Sequence, residues 1–350
     1  MRKQTQKLAS LRKHVAPYEN SDVSKSIKQM VNTFIPFFIL WYLAYESLSV
    51  SYFLTLGICL VAAGFLVRIF IIFHDCCHGS FFKNKRANHW VGTIAGIMTM
   101  FPFKQWQHSH NVHHASSGNL DKRGIGDIWF MTVEEYAKAT PMQRFAYRLY
   151  RNPIVMFGLG PIYVFLITNR FNRKGAKRKE RINTYITNLG IIAVAATVCL
   201  TLGWEAYVLI QGPIFYISGI LGIWLFYVQH TFEDTYFVEN EEWEYVKAAV
   251  EGSSFYKLPK VLQWLTGNIG YHHVHHLSPR VPNYKLETVH NEAAPLQHVP
   301  TITLATSLQC LKFKLWDEKN DKFVTFREAR KKQAEESGNS IRPAYKKKLT

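Results

Sequence analysis

Charge is missing from four long stretches of this 350-residue chain. No Asp, Glu, Lys or Arg occurs in residues 29–45, 47–67, 182–204 or 206–229. A spanning helix needs about 20 apolar residues, so each run is close to membrane length. Lone acids, Glu46 and Glu205, separate the members of each pair and make two hairpins. Four such runs in two tight pairs exclude an ordinary soluble core and point to a polytopic membrane protein. Cysteine is scarce as well: Cys59, Cys76, Cys77, Cys199 and Cys310 are odd in number, two within apolar runs and two adjacent. That excludes a disulfide framework and fits a reducing compartment. No small-residue cleavage pattern accompanies the first apolar run, so no removable signal peptide is expected. The metalloprotease pattern His-Glu-x-x-His does not occur.

Acids are outnumbered by bases, 25 to 42, for a net charge of +17. Lys and Arg are absent from both short turns and crowd the opposite ends. Arg2, Lys3, Lys7, Arg12, Lys13, Lys25 and Lys28 precede the first run, and seven bases fall in 170–181. The positive-inside rule then places both termini and the polar blocks in the cytosol. A nucleic-acid surface is the alternative for so basic a chain. Because the bases flank apolar runs, anionic lipid headgroups and an acidic protein partner are the expected targets. Arg68, near the end of the second run, is expected to snorkel to the headgroups.

Two shorter apolar stretches, 87–103 and 152–169, contain Gly and Pro and are expected to be re-entrant or interfacial. If they spanned, a histidine cluster between them would face the opposite side, about 30 Å from its partners. Residues 132–151 read as one interfacial amphipathic helix. The predicted architecture is therefore an all-α polytopic membrane protein. It has four transmembrane helices in two hairpins, re-entrant or interfacial helices, and a cytosolic helical cap. A basic arm (1–28) precedes the membrane domain and cap (29–326), and a basic tail (327–350) is expected to be disordered.

Histidine is what the chain has in unusual arrangement. His74-Asp75-Cys76-Cys77-His78, His110-Asn111-Val112-His113-His114 and His272-His273-Val274-His275-His276 each adjoin an apolar stretch or the cap. The spacings i, i+4 and i, i+3, i+4 put neighbouring imidazoles on one helix face. Eight at repeated ligand spacing point to metal, and His230 joins them at the end of the fourth run. Nine nitrogens exceed one ion and suit two. Structural zinc uses thiolates and catalytic zinc about three ligands, whereas imidazole also suits iron. Cys76 and Cys77, two and three residues from His74, point mostly away from it. Ligating histidines usually donate their second N–H to a carboxylate or carbonyl. Asp75, Asp121, Asp127, Glu233 and Asp234 are candidates, Asp127 the best placed. His108 and His273 flank ligand positions without fitting the spacing.

The three clusters resemble the histidine boxes of the membrane fatty acid desaturases. WQHSHNVHHASSGNLDKRGIGD (106–127), FYVQHTFEDTYF (226–237) and GNIGYHHVHHLSPRVPNY (267–284) resemble the Δ5 acyl-lipid desaturases of bacilli. The likeness runs from about Asn32 to Asp317. It implies a di-iron centre on His74, His78, His110, His113, His114, His230, His272, His275 and His276. That centre would use dioxygen and two electrons to place a cis double bond in a saturated acyl chain of a membrane phospholipid. The resemblance also implies ferredoxin or flavodoxin as electron donor and a site on the cytosolic face of the plasma membrane. Acyl-CoA relatives carry an Asn four residues before the position of His230, where this chain has Phe226. No water-bridged Asn ligand is assigned there, and Asn268, beside the last box, is a remaining candidate near the metals. A hydroxylase on the same scaffold, a membrane metal carrier and a lipid-binding scaffold are the competing readings. A carrier would place polar ligands along the spans, which hold no histidine here. Aromatics near the boxes, among them Phe73, Trp106, Phe226 and Trp264, are candidates to line an acyl channel.

Overall fold

A computed structural model describes residues 10–339. Helices dominate: α1 (Val23–Ser47), α2 (Tyr52–His78), α3 (Lys85–Thr99), α4 (Phe103–Ser116), α5 (Val133–Lys138), α6 (Pro141–Tyr150), α7 (Pro153–Gly158), α8 (Gly160–Leu166), α9 (Arg178–Leu202), α10 (Trp204–His230), α11 (Tyr245–Glu251), α12 (Lys260–Leu265) and α13 (His272–Leu277). The predicted charge-free runs coincide with α1, α2, α9 and α10, each long and apolar enough to cross a membrane. In α2 the apolar residues surround the whole circumference, so burial on all sides is favourable. It accordingly forms the axis, with α1, α3, α4 and α10 packed around it. Leu66, Ile69, Ile72 and Phe73 are its buried core.

The first hairpin turns just after Glu46, and the second at Gly203, whose φ of 92° needs a residue without Cβ. Both hairpins bring their polar ends together. Ser26 of α1 donates to the Phe81 carbonyl beyond α2 at 2.6 Å, and Glu180 of α9 lies 3.9 Å from His108 of α4. By length and composition 153–170 would also suffice to cross, but it is not one helix. Leu159 separates α7 from α8, which opens with Gly160-Pro161, and the segment packs along α10 from Trp224 to Phe215. Its two ends return to the histidine side, Arg151 to Tyr227 and Phe171 to Gln105. The α3 helix is likewise a short dip. A Cβ on Gly92 would lie 2.2 Å from Phe103 and one on Gly96 3.1 Å from Phe73, so α3 lies tight against α2 and the start of α4.

Two expectations are corrected. The stretch 132–151 is two helices, because Thr140-Pro141 starts a new one; Thr132 with Glu135 and Thr140 with Gln143 form two capping boxes. Arg68 does not snorkel. It is 6% exposed, donates to Thr33 Oγ1 at 3.0 Å and to the Trp264 carbonyl, and lies over the Trp264 ring at 4.0 Å. The cap also contains short strands, β1 (Met131–Thr132), β2 (Phe255–Lys257), β3 (Thr301–Thr303), β4 (Leu315–Asp317) and β5 (Lys322–Val324), which pair as β1-β4-β5 and β2-β3. From Ser10 on, the stretch read as an N-terminal arm packs onto the cap, with Leu11 and Val15 buried beside Val274 and Leu277. Residues 1–9 and 340–350 of the expected arm and tail lie outside the described residues; the helix Phe326–Asn339 runs into the tail, so that part of it is ordered rather than disordered as expected.

Candidate metal centre

Each histidine cluster sits where a helix ends or a short one begins. The α2 helix stops after His78 because Gly79 takes the left-handed conformation (φ 71°) and its N–H bonds back to the Cys76 carbonyl at 3.1 Å. His74 and His78 are one turn apart on its last stretch. The α4 helix carries His110, His113 and His114, the end of α10 carries His230, and the six-residue α13 carries the third cluster. Gly267 and Asn268, both with positive φ, turn the chain into that helix.

The structure brings all nine predicted imidazoles together. One nitrogen from each of His74, His78, His110, His114 and His275 lies within 4.8 Å of the others, and His113, His230 and His276 form a second such group. His272 belongs to the second, its Nε2 being 2.9 Å from that of His230 and 3.1 Å from that of His276. The His114 and His276 rings stack at 4.2 Å and join the two groups. Burial pushes His110, His114, His272, His275 and His276 well below the ordinary imidazole range, and mutual repulsion adds to it. They are held neutral, the form that binds metal.

The outer nitrogens fix the orientation of the inner ones. Asp75 Oδ1 lies 3.2 Å from His74 Nδ1, Asp127 Oδ1 lies 2.5 Å from His113 Nδ1, and the Gly252 carbonyl lies 3.3 Å from His230 Nδ1. Each contact calls for a proton on Nδ1 and leaves the Nε2 lone pair pointing inward. Lone pairs then confront one another where both rings are so held, as between His113 and His230 at 3.3 Å. His78 Nε2 is buried with no partner among the described residues. Inward-facing lone pairs repel unless cations lie between them. The donor set, five nitrogens and four, fits two metal ions.

Of the five candidate carboxylates, Asp75 and Asp127 are the two that lie against an imidazole of the clusters. Asn268 does not touch the imidazoles; its amide donates to the Asn283 carbonyl at 3.3 Å and it serves the turn. Asp121 accepts from the Asn240 N–H at 2.8 Å, Glu233 faces Lys322, and Asp234 is exposed. His108 is at the surface beside Glu180, and His273 turns away to His290 at 3.0 Å. Sequence reasoning missed Gly252, a backbone contact with no side-chain signal. It also missed Asn283, whose N–H and side chain both donate to Asp75 Oδ2 at 2.7 and 2.8 Å. Through that bond the loop after the third cluster holds the first.

A cavity of about 440 Å³ opens beside the imidazoles of His74, His110 and His272. Leu66, Val67, Phe70, Phe101, Phe165, Gly219, Gly222 and Leu225 are part of its wall. Trp106, stacked on His110 at 4.2 Å, and Phe226, 5.3 Å from His113, line it next to the nitrogens. Phe73 lies behind Trp106, and Trp264 is taken up by Arg68.

Comparison with known proteins accords with this geometry. The family model described as "Fatty acid desaturase" matches residues 51–304. A fatty acid desaturase of Bacillus subtilis (strain 168) is 67% identical over 321 residues, 92% of this chain and 91% of that one. A chloroplastic omega-6 fatty acid desaturase of Arabidopsis thaliana is 29% identical over 240 residues, 64% of this chain, which spans only 50% of that relative's length. An sn-1 oleoyl-lipid 12-desaturase of Synechocystis is 26% identical over 234 residues, 64% of each chain. This chain belongs to the fatty acid desaturase family and is an oxidoreductase that acts on acyl lipids.

Proposed function

We propose that the protein is a dioxygen-dependent di-iron desaturase that places a cis double bond, at the Δ5 position, in saturated acyl chains of membrane phospholipids. The observation that carries this reading is that His74 and His110 of one nitrogen group and His272 of the other stand in the wall of an apolar cavity. Unactivated methylenes offer no acid–base handle, so two irons held by the nine imidazoles would supply the redox chemistry. Overall, two hydrogens leave adjacent carbons, and dioxygen with two further electrons and two protons becomes two waters. The chain's own part is to bind and to orient. Leu66, Val67, Phe70 and Phe165 exclude water from the acyl chain, and a cavity of this size lies in the range that encloses a small ligand. Trp106 and Phe226 hold the chain against the imidazoles, while Asp75, Asp127 and the Gly252 carbonyl keep three rings in the tautomer that faces inward.

Electrons come from an acidic carrier, ferredoxin or flavodoxin, approaching the basic cytosolic face. The positive-inside pattern supports cytosolic termini and a cytosolic site in the plasma membrane. The acyl-lipid activity in the name of the Synechocystis relative supports a lipid-borne substrate. Expression in a host lacking unsaturated lipids, followed by mass spectrometry of its phospholipids, tests the reading. A single cis olefin near the carboxyl end is expected, and a hydroxylated chain in its place would show a hydroxylase. Single cysteines near His110 should react with an impermeant reagent only in inverted vesicles; labelling of intact cells would refute the orientation.

A further inference from the structure

Away from the acyl cavity, an open groove of about 560 Å³ lies between α4 and the start of α9. Lys104, Gln107, His108 and Asn111 of α4 line one side, and residues 177–180 line the other. None of these side chains is apolar, which sets the groove apart from small-molecule sites, whose walls are mostly hydrophobic. Lys104, Lys177, Arg178 and Lys179 supply four positive charges. The one acid, Glu180, is already held by Arg173 at 2.8 Å. Three of the bases stand at the N-terminal end of α9, where the helix dipole disfavours cations. The positive-inside rule accounts for bases beside a spanning helix, but not for their link to the histidines. That link is Gln107. Its Nε2 donates to the Cys77 carbonyl at 2.5 Å, and Cys77 is the residue before His78. Lys104 Nζ donates to Gln107 Oε1 at 3.1 Å, so a base of the groove reaches His78 through two hydrogen bonds and a peptide unit. Gln107 is also three residues before His110, about 4.5 Å along the helix axis, and the exposed Asn111 follows His110.

We propose that this groove docks the acidic one-electron carrier protein, and that Gln107 and the Cys77 carbonyl conduct its electron to the imidazole of His78. This deepens the reading that an acidic protein supplies the electrons, and rests on it. One electron leaves the carrier and enters the centre at each encounter, with no bond made or broken. Two encounters supply the pair needed for one double bond. A surface of four bases around one paired acid complements an acidic protein, which steers the encounter and fixes its register. The acyl cavity takes Gln105, Trp106, Ser109 and His110 from the same helix. Groove and cavity thus use different faces of α4, so the carrier and the acyl chain can be bound together. Anionic headgroups would also meet these bases, but they would not draw on the link from Gln107 to His78.

The test uses the full-length, iron-loaded protein in nanodiscs of neutral phosphatidylcholine, with an acidic flavodoxin and an acidic ferredoxin as probes. Surface plasmon resonance reads the Kd of each carrier, and stopped-flow absorbance reads its reoxidation once bound. Lys177→Glu together with Lys179→Glu should weaken binding about tenfold or more at low salt. The difference should vanish near 1 M salt, where the Debye length is about 3 Å. Lys257→Glu together with Lys312→Glu makes the same change in net charge at two exposed bases outside the groove, and should bind as wild type. Gln107→Leu should leave the Kd unchanged and slow reoxidation of the bound carrier, measured per iron retained. Wild-type affinity after the groove reversal, or an equal loss in the control, would overturn the groove as the docking site. A loss seen only in discs of anionic phosphatidylglycerol would assign the bases to headgroups and overturn it as well. An unchanged reoxidation rate in Gln107→Leu would overturn the path through Cys77. Failure of the wild type to bind or oxidise either carrier would sink the underlying reading of an acidic donor instead.

Discussion

Replacing Asp75 by asparagine changes one atom, yet the surroundings leave no place for the new amide. Asp75 is 1% exposed. Its Oδ2 accepts from the backbone N–H and the side chain of Asn283, and its Oδ1 faces His74 Nδ1. If the amide NH2 takes the Oδ2 position, it confronts the Asn283 backbone N–H, which cannot rotate away. The Asn283 side chain can flip, because Gln29 next to it has a free acceptor, Oε1; the backbone cannot. If the NH2 takes the Oδ1 position, His74 must move its proton to Nε2 and lose the lone pair that faces the other imidazoles. A buried donor left facing a donor costs ~1–3 kcal/mol. Loss of such an outer partner lowers metal affinity about 10–100-fold, which is ~1.4–2.8 kcal/mol, the same size. Asp75→Asn should therefore fold, insert in the membrane, and lose iron at chelator concentrations the wild type tolerates, with product falling in step. Iron per chain by mass spectrometry during a chelator titration measures this. An Asp75→Asn protein with wild-type iron retention and activity would refute the tautomer argument.

Other expectations follow from the same geometry. His113→Ala should abolish product and reduce bound iron while leaving membrane insertion intact, as read by lipid analysis, metal analysis and membrane fractionation. Gly222 lines the cavity and a Cβ there meets nothing within 4 Å. Gly222→Leu should thus leave stability unchanged but shift preference to shorter chains, by about fourfold per excluded methylene; an unaltered chain-length profile would count against the cavity as the acyl site. For metal-stripped protein the pH dependence has a definite sign. The folded imidazoles of His110, His114, His272, His275 and His276 sit below their unfolded value of about 6.5. As pH falls through that value only the unfolded chain takes up protons, so stability falls below about pH 6.5 and is flat above it. A melting temperature constant down to about pH 5 would contradict the buried, neutral cluster.

Much of this was legible in the sequence because two signals are long and periodic. Charge-free runs of membrane length fixed α1, α2, α9 and α10, and the i, i+3, i+4 histidines had to share helix faces. The cap was less legible. Most of its helices are six or seven residues long, and its strands of two or three residues are held by distant partners, such as Phe255 with Thr301. Arg68 misled because an arginine near the end of an apolar run has two solutions. Thr33 on one neighbour and Trp264 on another offered partners that periodicity does not reveal. Asn283 and the Gly252 carbonyl act through contacts made only when the cap closes over α2 and α10. The N-terminal residues Leu11 and Val15 read as part of a polar arm, because their partners lie more than 200 residues away.

The most direct measurement is the metal content of purified, active protein. Two irons per chain, lost together with activity on His113→Ala, is the predicted result. One zinc and no iron in protein that still makes olefin would contradict it.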